Sequence, residues 1–183
     1  KGLEEYLHSY ISVLPYNELG VAAAAYNADE KELCRLDEIY SAVKTPFEIR
    51  SGSEKVTRRF FKICNNGREN FTGLYKSLTE QGICKGHQCI AYGLYMRDNG
   101  IELSEGLAVY GYSICSAIVT NCVKLVPLSQ LAGQKILGES FELISSASEK
   151  ALFTDINDIG ISGAGFDLRA MQHERLYSRQ YMS

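Results

Sequence analysis

The stretch LAVYGYSICSAIVTNCVKLV, residues 107–126, decides the fold. It is mostly apolar for 20 residues, which by length alone would suit a membrane span. Ser113, Ser116, Thr120, Asn121 and Lys124 interrupt it, however. A lysine inside a span costs about 2.5–3.5 kcal/mol on insertion scales, so a buried core helix is the better reading. Leu107, Gly111, Ile114, Cys115, Ile118, Val119, Cys122 and Val126 recur at helical spacing and make a broad apolar face. Further apolar residues lie off that face, which predicts burial on most sides. Ser104 is the expected N-cap, and Pro127 closes the element.

Outward from this helix the helical period persists and no sustained alternation appears. On the C-terminal side a second long helix is expected over 128–152, carrying Leu131, Ile136, Leu137, Phe141 and Ile144. A glycine-rich loop, 159–165, then leads to a short polar helix and tail. On the N-terminal side Leu3, Tyr6, Leu7, Tyr10, Ile11 and Leu14 form a stripe ended by Pro15, and an alanine-rich helix former follows over 19–28. Asp29 with Glu32 reads as a capping box ahead of Leu36, Ile39, Tyr40 and Val43. After Pro46 come three stripes: Val56, Phe60, Ile63 and Cys64, closed by Asn65-Asn66-Gly67; then Phe71, Leu74, Tyr75 and Leu78; then Ile90, Leu94 and Tyr95. The expected fold is all-α, a compact single-domain bundle of eight to nine helices. Residues 1–165 form the bundle and 166–183 a C-terminal helix and partner-binding tail.

Length and charge narrow the function. A chain of 183 residues buries about 70% of its unfolded surface and needs no staples. A net charge of −3 argues against nucleic-acid binding, and no block of like charge suggests a membrane surface. The six cysteines (34, 64, 84, 89, 115, 122) would suit three disulfides in a secreted protein. Several fall inside apolar helical patterns, however, where free cysteine acts as a small hydrophobe, so they are read as reduced and cytosolic.

The motifs of nucleotide hydrolysis, zincin and serine-esterase chemistry are missing. Ser162-Gly163-Ala164-Gly165 has the glycines of a phosphate loop but neither its lysine nor a preceding strand. Neither catalytic residues nor a cofactor are expected. Cys84, His87 and Cys89 could supply two thiolates and an imidazole to a metal if the backbone loops there; otherwise Gly86 marks a helix start and Cys89 faces the core. The carboxylates Glu4-Glu5 and Asp155-Asp158 read as surface.

Two stretches resist a purely structural account. In KLVPLSQLAGQK, residues 124–135, Gln130 and Gln134 lie four apart on one helix face, and Gly133 allows close backbone approach. The amides either cap neighbouring helices or face a partner. The tail MQHERLYSRQYMS, 171–183, is rich in Tyr, Arg and Met, types enriched at interfaces, and is otherwise a solvated end.

These two stretches resemble the UreF family of urease accessory proteins. Its pattern P-L-[GS]-Q-x-x-G-Q with a leading lysine is matched by Lys124, Pro127, Leu128, Ser129, Gln130, Gly133 and Gln134. Its H-E-x-x-Y-[ST]-R signature is matched by His173, Glu174, Tyr177, Ser178 and Arg179. Pro46-x-Glu48-x-Arg50, and Gly86-His87 with Tyr92-Gly93, are weaker echoes. The order and separation of all four fit, and the resemblance spans essentially the whole chain. Ser129 stands for the commoner glycine, and the family's P-x-G-x-[YF]-x-H-S-x-G-L-E run has no counterpart beyond an echo of its end in Gly2-Leu3-Glu4. The resemblance implies a cytoplasmic, non-enzymatic chaperone, typically a homodimer, that bridges UreH (UreD) and the GTPase UreG and acts on apo-urease during nickel insertion. It implies partner-binding roles for Lys124, Gln130, Gln134, His173, Glu174, Tyr177, Arg179 and Tyr181, and structural roles for Glu48, Arg50, Pro127 and Gly133.

Overall fold

A computed structural model describes residues 2–64, 70–161 and 163–177, and among them there is no strand. The helices are α1 Gly2–Val13, α2 Glu18–Asn27, α3 Glu30–Val43, α4 Phe47–Cys64, α5 Phe71–Glu80, α6 Gln88–Asp98, α7 Leu103–Leu125, α8 Gln130–Glu139, α9 Phe141–Ala151 and α10 Ala164–His173. The chain is all-α, as its periodicity requires.

The alanine-rich α2 is the axis of the core. Its buried Leu19, Val21, Ala22, Ala23 and Ala25 are mostly short side chains, so α6 lies close along it and α7 and α9 close the other side. α6 answers with Cys89, Ile90, Ala91, Leu94 and Met96, all buried. The expected capping box starts α3: Glu32 N–H donates to Asp29 Oδ1 at 2.8 Å and Asp29 N–H to Glu32 Oε2 at 3.0 Å. Asn17 ties the two ends of the fold together by donating its side-chain amide to Val13 O and Ile161 O.

Four sequence expectations need correction. α7 starts two residues earlier than Ser104 implies, because the Glu102 carboxylate accepts from Glu105 N–H and acts as its N-cap. α7 also buries one face only, through Gly106, Leu107, Tyr110, Gly111, Cys115 and Val119. Val109 and Tyr112 on the opposite side are 59% and 40% exposed. Among the described residues α7 is the one helix long and apolar enough to cross a membrane, and here it packs against α1, α2, α8 and α9.

The long helix expected over 128–152 is two helices, α8 and α9, which adds one to the anticipated count. Ser140 breaks it: its hydroxyl donates to Ile136 O, and its N–H bonds Leu137 O three residues back. The bend turns Ile144, Ala147, Ser148 and Ala151 of α9 onto α7 and the core. In α4, finally, the buried positions are Thr57 and Phe61, while Val56 and Ile63 are exposed. The stripe is displaced by one residue because Phe61 packs edge-on against Tyr75 of α5. The Asn65-Asn66-Gly67 closure lies outside the described residues.

Candidate functional site

The run 84–89 folds into a buried polar knot. Asp37, on the apolar face of α3 between Leu36 and Tyr40, is 2% exposed. Its carboxylate accepts from Tyr75 Oη at 2.5 Å, Lys85 N at 2.7 Å and Gly86 N at 3.1 Å. Tyr75 Oη in turn accepts from His87 N at 2.7 Å, and His87 Nε2 meets Ser41 Oγ at 2.8 Å. Gly86 sits at φ +90°, and a Cβ there would come 2.8 Å from Thr79 Cγ2, so the turn demands glycine twice over. Burial holds the His87 imidazole below its ordinary pKa, with Lys44 and Arg50 adding to the effect against Asp37. Burial likewise pushes the Tyr75 phenol well up, and the Asp37 charge adds to this.

This arrangement does not gather Cys84, His87 and Cys89 around a metal. Cys84 Sγ turns to Cys34, His87 Nε2 to Ser41, and Cys89 is sealed in the core beside Tyr40. α6 begins at Gln88, so the backbone does not wrap the three side chains round one point. Among the described residues no group of three His, Cys, Asp or Glu side chains has the geometry to hold a metal ion.

Between α1, α4 and α7 lies a cavity of about 500 Å³, lined in part by Tyr6, Tyr10, Glu18, Lys44, Tyr110 and Asn121. Lys44 Nζ donates to Glu18 Oε1 at 2.7 Å, and Tyr40 Oη donates to the same oxygen at 3.3 Å. Burial alone would raise the Glu18 carboxyl, but the Lys44 charge and hydrogen bond more than offset it, leaving the pKa lowered. Sequence reasoning missed both Glu18 and Asp37. The signal was there: Glu18 is the one charge in residues 14–28, and Asp37 falls among Leu33, Leu36 and Tyr40 in the helical repeat.

Of the residues assigned to partners, the structure brings two into contact with a distant segment. His173 Nδ1 lies 2.5 Å from Glu48 Oε2, and Glu174 Oε1 accepts from Phe47 N–H at 2.9 Å. Two motif stretches 125 residues apart thus meet, with the end of α10 clasped to the start of α4. Arg50, beside them, caps the end of α3 by donating to Lys44 O at 2.7 Å. Upstream, Phe166 of α10 packs edge-on against Tyr6 and Tyr10 of α1. α10 still buries none of its residues, and Leu168, Leu176 and Tyr177 are exposed. Arg179 and Tyr181 lie outside the described residues.

The connection between α7 and α8 behaves differently. Lys124, Pro127, Gln130 and Gln134 are all exposed, together with Leu125, Val126 and Leu131. Of the two residues given structural roles here, Pro127 is exposed and only Gly133 is packed. Gly133 is buried, and a Cβ there would come 2.7 Å from Val123 Cγ2 and 3.1 Å from Val119 Cγ1, so its hydrogen is what seats α8 on α7. Ser129 Oγ caps α8 by accepting from Ala132 N–H at 3.1 Å. The arrangement provides an apolar, amide-bearing surface on a rigid seat.

Comparison with known proteins places this geometry. The model of the UreF family matches residues 1–140. Similar chains include the urease accessory protein UreF of Actinobacillus pleuropneumoniae serotype 5b, 34% identical over 99% of this chain and 82% of that protein. That of Haemophilus influenzae is 32% identical over 99% and 80%, and that of Streptococcus thermophilus 28% identical over 100% and 80%.

Proposed function

This chain belongs to the UreF family of urease accessory proteins, and we propose that it is a cytoplasmic, non-enzymatic scaffold for nickel insertion into apo-urease. In this reading it bridges UreH (UreD) and the GTPase UreG, works as a homodimer, and nickel is the cargo of the assembly. The observation that carries the proposal is the exposed connection between α7 and α8. Lys124 at the end of α7 and Gln130, Leu131 and Gln134 of α8 face solvent there, while Gly133 seats α8 on α7. Exposed apolar and amide groups on a rigid element suit protein recognition. Leu168 of α10, with Leu176 and Tyr177 just after it, supplies a second exposed apolar surface.

The two surfaces are given separate partners: α10 and the residues after it meet UreH, and the Lys124 connection meets the GTPase. Pulldown with purified UreH and UreG, together with urease activation in a reconstituted system, tests the assignment. Lys124→Ala and Gln134→Ala should keep full helical content and weaken urease activation, with UreH capture intact. Unfolding of both variants, or activation equal to wild type, would refute it.

A further inference from the structure

Sulfur–sulfur contact occurs once among the described residues. Cys34 of α3 and Cys84, in the turn between α5 and α6, have their Sγ atoms 3.9 Å apart, although they are 50 residues apart in the chain. All the cysteines are free thiols. Cys84 is 3% exposed and Cys34 is half-buried, so a reagent in water reaches Cys34 first. The elements carrying the two sulfurs are already clamped together. Asp37, three residues along α3 from Cys34, accepts hydrogen bonds from the N–H groups of Lys85 and Gly86, just after Cys84.

We propose that Cys34 and Cys84 form a modification site, a dithiol that a small-molecule disulfide of the glutathione class converts into an intramolecular cystine. This goes beyond the role in urease assembly and does not depend on it. A disulfide bond is about 2.05 Å long, so the sulfurs must close by roughly 2 Å, a movement of the order that rotation about the two Cα–Cβ bonds gives a sulfur. Cys34 attacks one sulfur of the reagent as the thiolate; a mixed disulfide forms and the first thiolate of the reagent leaves and takes a proton. Cys84 then gives its proton to solvent and attacks Cys34 Sγ. The protein S–S bond forms as the second reagent thiolate leaves and is protonated. Two protein thiols are oxidised and one reagent disulfide is reduced to two thiols.

Burial raises the Cys84 thiol, and the Asp37 charge and Cys34 add to this. The second step is therefore the slow one, and it speeds up as pH rises, because only the thiolate is the nucleophile. Cys64 and Cys122, also half-buried, have no sulfur neighbour within hydrogen-bond range among the described residues and stop at the mixed disulfide.

The test uses the full chain incubated with oxidised glutathione, then unfolded, alkylated and mapped by mass spectrometry after proteolysis. A peptide pair joining Cys34 to Cys84, two hydrogens lighter than the reduced pair, is expected. The closed loop should raise Tm by about 5–10 °C, reversed by dithiothreitol. Cys84→Ser should trap a glutathionyl group on Cys34, and Cys34→Ser should leave Cys84 unmodified. Alkylation of both residues in the oxidised wild type, a lasting mixed disulfide on Cys34 there, or a cystine mapped to other cysteines would overturn the proposal. The wild-type map needs no variant, so a variant that fails to fold does not blunt the test.

Discussion

Replacing Asp37 with alanine should be among the most damaging single changes this protein can suffer. The carboxylate is 2% exposed and accepts three hydrogen bonds, from Tyr75 Oη, Lys85 N and Gly86 N. Lys85 is exposed, so water can reach its freed N–H, but Tyr75 and Gly86 are buried and keep stranded donors. Each buried donor left unsatisfied costs about 1–3 kcal/mol. The loss should therefore be about 3–5 kcal/mol, a large share of a typical domain stability of about 5–15 kcal/mol. Urea unfolding followed by far-UV circular dichroism measures it directly. Asp37→Asn keeps the shape but turns an NH2 toward one of the donors, and should fall between the two. Tyr75→Phe removes one of the stranded groups, so Asp37→Ala combined with Tyr75→Phe should cost clearly less than the sum of the single changes. A loss under about 1 kcal/mol for Asp37→Ala at unchanged m-value, or strict additivity with Tyr75→Phe, would refute the reasoning.

Three further outcomes are expected. Gly133→Ala should cost about 1–2 kcal/mol by pushing Val123 off α8, and Val123→Ala in the same chain should recover part of it in the same unfolding assay. Because the folded His87 imidazole has a lowered pKa, the unfolded chain binds its proton first as pH falls below about 6.5. Wild-type stability should accordingly fall with pH from that value down to the folded pKa, and His87→Gln should lose this part of the slope in unfolding curves taken across the range. A deletion that begins at Arg175 spares His173 and Glu174, hence the clasp to Glu48 and Phe47. It should leave Tm within about 2 °C of wild type and abolish UreH capture, whereas deletion from Met171 also breaks the clasp and should lower Tm measurably in a thermal melt.

Much of the fold is local and so was legible in the sequence. The period of Leu7, Ile11 and Leu14, the Asp29–Glu32 capping box and the prolines at 15, 46 and 127 each act within a few residues of themselves. They specify helices, and helices with apolar faces specify a bundle. The break at Ser140 was not legible, because a serine within an apolar helical pattern becomes a helix end only when α9 gains by folding onto α7. The inner face of α4 was missed for the same reason: Val56 and Ile63 are as apolar as Phe61, and only the position of Tyr75 decides which of them is covered.

The candidate surfaces divide along the same line. Composition and pattern were enough to exclude nucleotide, zincin and esterase motifs, and to mark residues 124–135 and 171–183 as stretches with more polar and aromatic character than packing needs. Tertiary structure alone decided that Lys124 and Gln134 face water while Gly133 does not, that His173 reaches Glu48, and that Cys84 lies against Cys34 instead of sharing a metal with His87 and Cys89. Hydrogen bonds and steric contacts act over a few ångströms, and residues 50 or 125 positions apart come within that range only once the helices between them have packed.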